Sequence, residues 1–372
     1  MTDIERMLIL NMIEDVGSVR TQRLLEHFGS LEKIFKASQA ELEKVKEIGL
    51  RIASNIIKGI KEIDLKKELE LIRTRGVKVV TFLDNDYPKN LKNIYDPPVA
   101  LYVKGKILPR DNLAIAIVGS RLASFYGLQT AERFAFELAS RGVTIVSGLA
   151  RGIDSASHKG ALKAKGRTLA VLGSGIANVY PEEHIELAEE ISGKGAVISE
   201  FPMMTIPDKG NFPKRNRIIS GLSLGVICVE AADRSGALIT CDIALEQGRE
   251  VFAVPGKVDS ATSKGTNRLI KQGAKLVGDI DDIIEELELC LQDSCEASRE
   301  SRLAKQNKLA PELDKCESLV YNLLSSEPRY IDELCEESGI GLSRISGILI
   351  NLEIKKLARQ LPGKKFARSE GK

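Results

Sequence analysis

Apolar residues follow three different rhythms along the chain. Up to about residue 75 they recur at helical spacing, as in Met7, Leu8, Leu10, Met12 and Ile13, then Leu24, Leu25 and Phe28. Val16-Gly17-Ser18 and Glu47-Ile48-Gly49-Leu50 interrupt that spacing, and Ser18 is a suitable N-cap for the next helix. Two helix–glycine–helix units predict a small helical module of the SAM or helix-hairpin-helix kind. Such turns either present N–H groups to a phosphate or simply join the helices of a bundle.

A strand is expected at 77–83, and residues 96–105 read as a rigid turn, Asp96-Pro97-Pro98, leading into another strand. From residue 113 short, uncharged runs at 114–118, 143–147, 168–172, 195–198, 224–229 and 250–254 alternate with amphipathic stretches at 127–141, 154–165, 182–193, 236–247 and 263–272. That alternation predicts a parallel sheet with right-handed crossovers. The expected fold class is α/β, a Rossmann-like doubly wound and mainly parallel sheet, whose ligands sit beyond the carboxyl ends of the strands.

A third rhythm begins near residue 311. Leu319, Val320, Leu323 and Leu324 mark one helix, Tyr330 to Leu334 starts a second, and Leu342, Ile345, Ile348, Leu349 and Leu352 mark a third. Leu357 to Leu361, Pro362-Gly363-Lys364-Lys365 and Phe366-Ala367-Arg368 read as strand, turn, strand. Three helices and a hairpin predict a winged helix, with Ser343, Arg344, Ser346 and Asn351 facing outward on the third helix. Such a unit serves duplex DNA or protein contacts equally well. The expected organisation is a helical module at 1–75, a Rossmann-like domain at 76–285, a linker at 286–310 and a winged helix at 311–372.

Composition narrows the class of protein. The 372 residues are 43% hydrophobic and 28% charged, with a net charge of +2, so total charge does not select a partner. Local charge is uneven: residues 279–300 hold nine acids and one base, and residues 355–372 hold seven bases and one acid. Six cysteines without a C-x-x-C pair, and only three histidines, argue against a zinc cluster and fit a reduced, cytoplasmic protein. The start does not resemble a signal peptide, and no run approaches the ~18 apolar residues of a membrane span.

The chemistry concentrates at Asn211-Phe212-Pro213-Lys214-Arg215-Asn216-Arg217, just before the buried-strand pattern at 224–229. Guanidinium forks and an ammonium group suit phosphate. Glycine loops follow the other strands: Gly119-Ser120-Arg121, Ser147-Gly148-Leu149-Ala150-Arg151-Gly152, Gly173-Ser174-Gly175 and Ser235-Gly236-Ala237. Glycines let a backbone approach a ligand, and helix N-termini attract anions. None of these loops is a G-x-G-x-x-G or a G-x-x-x-x-G-K-[ST] motif, so no nucleotide cofactor is expected. A basic, glycine-lined groove for a nucleic-acid backbone is expected instead, with Phe212 either a base-stacking platform or a core residue. Lys214, Arg215, Arg217 and Arg121 are predicted to be exposed and to converge on it.

The ordered set of motifs resembles the bacterial DNA-processing protein A family, also called DprA or Smf. It comprises Gly119-Ser120-Arg121, Ser147 to Asp154, Ser199-Glu200-Phe201-Pro202, Asn211 to Ile219, Glu230-Ala231, Ser235 to Thr240 and Ala244 to Gly256. The resemblance spans about residues 80–280. It departs from the usual pattern at Ser174 and Asn178, where Cys and Asp are usual, and at Ser157, where Ala is usual. The resemblance implies a non-catalytic protein that binds incoming single-stranded DNA in natural transformation, displaces or bypasses single-strand-binding protein and loads the RecA recombinase. It also implies a homodimer formed through the Rossmann-like domain, with the segment 258–285, including Leu269, Ile270, Leu276 and Val277, carrying self and RecA contacts. Arg121, Lys214, Arg215 and Arg217 would line the DNA pocket. With the loop residues, the expected nucleic-acid set is Gly119, Ser120, Arg121, Ser147, Gly148, Arg151, Phe212, Lys214, Arg215, Asn216, Arg217 and Gly236, with no catalytic residue, metal or cofactor. Two rivals remain: a Rossmann-like nucleotide phosphoribohydrolase, of which Ser235 to Thr240 with Glu246 is a loose echo, and a winged-helix transcriptional regulator.

Overall fold

The structure is a computed structural model that describes residues 1–286, 315–325, 328–355, 357–361 and 365–368. It divides into two compact units at residue 288. The first unit opens with six helices: α1 (Asp3–Met12), α2 (Ser18–Phe28), α3 (Leu31–Lys36), α4 (Gln39–Leu42), α5 (Leu50–Glu62) and α6 (Leu65–Thr74). The α/β part follows as β1 (Val77–Thr81), α7 (Lys89–Lys92), β2 (Ala100–Gly105), β3 (Ala114–Val118), α8 (Phe125–Ser140), β4 (Thr144–Ser147), α9 (Ile153–Lys163) and β5 (Thr168–Val171). It continues with α10 (Ile185–Lys194), β6 (Ala196–Ser199), α11 (Asn211–Leu222), β7 (Gly225–Cys228), α12 (Gly236–Glu246), β8 (Glu250–Ala253), α13 (Lys264–Lys271) and β9 (Lys275–Leu276).

These strands form one nine-stranded sheet in the order β1-β2-β6-β5-β4-β3-β7-β8-β9. From β6 to β9 every pairing is parallel, and β2 and β1 extend the β6 edge in antiparallel fashion. The chain winds outward from β3 to β6, then returns to place β7 on the other side of β3. The switch point, where such sheets bind ligands, therefore lies between β3 and β7. Alternate residues feed two cores: Ala116, Val146 and Val226 pack with α11 and α12, while Ile117, Ile145 and Ile227 pack with α8 and α9. Both faces are covered, which is why these strands are apolar runs with no alternation.

The N-terminal helices have their own core around Leu24, Ile34 and Ile56, yet they also share residues with the sheet. Leu8 of α1 belongs to the cluster of Tyr102, Ala170 and Val197. The Asn11 amide donates to the Glu200 carbonyl at 2.9 Å, and the Met203 N–H donates to Glu68 at 2.8 Å. In the segment expected to carry self-contacts, Leu269 and Val277 are core residues and are not available to a partner, whereas Leu276 is half exposed.

The second unit contains α14 (Lys315–Leu323), β10 (Arg329–Tyr330), α15 (Ile331–Ser338), α16 (Leu342–Ile354), β11 (Ala358–Leu361) and β12 (Lys365–Arg368). Its sheet has the order β10-β12-β11, over a core of Val320, Leu334, Ile345, Leu349 and Phe366. This is the expected winged helix. On α16 Arg344 and Asn351 are exposed, and Ser346 is half-buried and bonds to the Leu342 carbonyl. The side chain of Ser343, the turn at 362–364 and the expected linker from 287 lie outside the described residues.

Candidate nucleic-acid interface

A cleft of about 620 Å³ opens at the switch point. Its walls are the loop after β3, with Gly119, Ser120, Arg121 and Leu122, the start of α11, with Phe212, Arg215, Asn216 and Ile219, and the start of α12, with Ser235 and Gly236. Glu230, buried after β7, holds the first wall. Its carbonyl accepts from Ser120 N–H at 2.7 Å, and its carboxylate accepts from Ser124 N–H at 2.9 Å and Ser124 Oγ at 2.5 Å. Ser124 Oγ in turn caps α8 by accepting from Gly127 N–H at 3.1 Å. Gly127 is required there, because a Cβ would lie 2.5 Å from the Glu230 carboxylate.

The strand-end glycines make room for the protein's own side chains as much as for a ligand. A methyl group on Gly148 would collide with the Arg215 guanidinium, and one on Gly173 would come within 2.7 Å of the Phe212 ring. Gly236 is exposed, with open space in front of it.

Arg215 departs from the expectation that the basic cluster is exposed: only 3% of it is accessible. Its Nη1 donates to the Val171 carbonyl at 2.5 Å, and its Nε has no partner. Burial pushes its pKa down to about 10, so it remains cationic at neutral pH. Asp154, also buried, accepts from the N–H groups of Gly148 at 3.2 Å and Ala150 at 3.3 Å, and burial raises its pKa. Arg121 is exposed at the rim, 5.1 Å from the Phe212 ring centre, and Tyr180 packs against the same ring at 6.0 Å. Arg151 lines a small neighbouring cavity with Tyr180, Phe212 and Arg215, but it is paired with Glu183, whose carboxyl it holds down to about 2.

Three expected residues stand elsewhere. Ser147 is wholly buried and donates to the Ile117 carbonyl at 2.7 Å, tying β4 to β3. Lys214 and Arg217 point away from the switch point, because they lie on the opposite side of α11 from Phe212 and Arg215. They line a second cleft, of about 860 Å³, closed on its far side by the α1–α2 turn. Arg217 is not exposed either: its side chain is 15% accessible, donates to the Asp96 carbonyl at 2.6 Å and pairs with the carboxylates of Asp96 and Glu200. Conversely, Lys209 and Arg234 line the switch-point cleft and were missed. Lys209 sits alone in the loop before α11, outside the cluster, and Arg234 stands in a loop read for its glycine.

The switch-point cleft therefore gathers Arg121, Lys209, Arg215 and Arg234 against one acid, Asp154, with Phe212 on its wall. The family model for DNA recombination-mediator protein A matches residues 78–288. The chain belongs to that family, DprA/Smf. The DprA winged-helix model matches residues 304–364, and a helix-hairpin-helix motif matches residues 8–64. DNA processing protein DprA of Bacillus subtilis is 46% identical over 224 residues, covering 60% of this chain and 75% of that protein. The crystal structure of DprA from Streptococcus pneumoniae superposes with a TM-score of 0.67 at 34% identity, covering 77% of this chain and 99% of that one. A DprA structure from Helicobacter pylori, described for its single-stranded DNA binding mode, gives a TM-score of 0.52 at 31% identity, covering 58% of this chain and 97% of that one. Among the described residues no group of metal ligands is found, and no helix is long and apolar enough to cross a membrane.

Proposed function

We propose that this protein binds single-stranded DNA at the switch-point cleft and acts as a recombination mediator, with no catalytic step of its own. The carrying observation is Arg215, a buried guanidinium with an unpartnered Nε, which lines a cleft where cations outnumber acids four to one. A buried guanidinium with an unmet N–H donor is costly, and a ligand anion that accepts from it relieves that cost. The arginines and Lys209 hold phosphates, the loop N–H groups of Gly119 and Gly236 add donors, Asn216 faces the strand, and Phe212 with Tyr180 offers a stacking surface. Arg217 serves as a brace, and Lys214 stands outside the main cleft. The Helicobacter pylori relative, whose described property is single-stranded DNA binding, supports the same reading.

Within that function the protein works in the cytoplasm as a homodimer, receives DNA during natural transformation and hands it from single-strand-binding protein to RecA. The test has two parts. Titration of a single strand and its duplex should favour the single strand, and Arg121→Ala with Lys209→Ala should weaken binding of all sequences. Added protein should then speed RecA filament growth on strands covered by single-strand-binding protein. Equal binding by wild type and double variant would refute the cleft. Release of free base from nucleoside monophosphates would instead favour the hydrolase.

A further inference from the structure

Six aromatic rings are exposed among the described residues: Tyr95, Phe125, Tyr126, Phe136, Tyr180 and Tyr330. Four of them are at the switch-point cleft or on α8 beside it, a concentration that needs a reason. Leu122, 87% accessible, ends the cleft wall, and Phe125 and Tyr126, 74% and 57% accessible, open α8 directly after it. A separate groove of about 590 Å³ then runs along α8, lined by Tyr126, Gln129, Arg133, Phe136 and, from α9, Lys163, with one acid, Glu132, among them. The groove follows directly in sequence on the wall that carries Arg121.

We propose that this face of α8 is a second subsite for the same DNA strand, with bases stacked on Phe125 and Tyr126 and phosphates held by Arg133 and Lys163. The inference rests on the single-strand reading of the cleft. Aromatic rings interleaved with cations are what a strand without sequence preference needs, because every base has a face to stack. The cations are available: Lys163 pairs with Glu132 and Arg133 stands 3.9 Å from Glu137, with both cations exposed and both acids half-buried, and such surface pairs are weak. A second protein copy is the less fitting occupant, since the centres of such interfaces are depleted in charge and these rings alternate with charged residues.

The experiment titrates oligo-dT of about six and about twenty nucleotides, lengths chosen to fill one subsite or both. The proteins are wild type, Phe125→Ala with Tyr126→Ala, and Arg121→Ala with Lys209→Ala. Both aromatic positions are exposed, so that variant keeps its fold, which circular dichroism checks. The expected result is a loss of roughly tenfold or more on the long strand, with the short strand nearly unchanged. An undiminished affinity for the long strand overturns the proposal, and so does an equal loss on both lengths. Conversion of a dimer to a monomer by light scattering, with DNA binding intact, also overturns it and assigns the rings to a protein contact. If wild type binds neither length, or the Arg121 and Lys209 variant binds like wild type, the cleft reading itself has failed.

Discussion

The two clefts on either side of α11 have similar size and opposite character. The switch-point cleft holds Arg121, Lys209, Arg215 and Arg234 against Asp154. The cleft beside the N-terminal helices holds Arg20, Lys214 and Arg217 against Glu14, Asp15, Glu47, Asp96 and Glu200. In the first, the buried arginine has only the buried Asp154 as a nearby counter-charge and leaves its Nε without a hydrogen-bond partner. In the second, the arginine is matched twice over. A count of basic residues along the sequence treats the two alike; what separates them is whether the protein has already supplied the counter-charge.

The largest effect expected from this contrast is on stability. Arg217→Ala leaves Glu200 and Asp96 without their partner in a largely buried setting and should cost about 3 kcal/mol. Urea unfolding measures it, and a change below 1 kcal/mol would show that Arg217 is not a brace. Next comes DNA affinity. Arg121→Ala with Lys209→Ala should lower the salt slope on oligo-dT by about 1.4, at ~0.7 per lost phosphate contact. Lys214→Ala should change the slope much less, and an equal fall would mean that the strand enters both clefts.

A smaller effect follows from pH. His158 is buried with Nδ1 2.7 Å from Thr168 Oγ1, and burial holds its pKa down to about 3. The folded protein keeps it neutral while the unfolded chain takes up a proton below about 6.5, so stability is full above that pH and falls as pH drops towards 3. The slope is at most about 1.4 kcal/mol per pH unit. His158→Asn should flatten it in thermal melts between pH 6.5 and 4.5; an unchanged slope there would assign the acid sensitivity to other groups. The least change is expected from removing the winged helix. A fragment 1–301 should bind single strands within a few-fold of the full chain and lose more on duplex, because the basic tail adds counterion release that ignores sequence.

Much of the sheet was legible, since buried parallel strands are short uncharged runs and those in residues 113–254 alternate with amphipathic stretches. The division of the basic cluster was legible too, although it was read as one unit. At about 100° per residue, Phe212, Arg215, Asn216 and Ile219 share one helix face, and Lys214 and Arg217 the other. The burial of Arg215 could not be read locally. It depends on Gly148, which comes from another strand's end and leaves space for the guanidinium. The glycines were marked as special for ligand approach, while at Gly148 and Gly173 the space is taken by the protein's own Arg215 and Phe212. Similarly, the helical periodicity of residues 1–75 gave the helices but not their partner, because Leu8 reaches the sheet through a surface that only the assembled β2 and β6 create.

The sharing of Leu8, Asn11 and Glu68 with the sheet has a consequence for motion. A helical module hung on a tether would open and exchange its amide hydrogens independently of the rest. Here α1 contributes to the same cluster as β2, β5 and β6, so it cannot leave without exposing Tyr102 and Val197. Amides of α1 and of β6 should therefore exchange with one common opening energy, as a single cooperative unit. The floor of the cleft hangs on that unit, since Arg215 bonds to the end of β5, so a strand bound at the far side of α11 should slow exchange in the first helix of the chain.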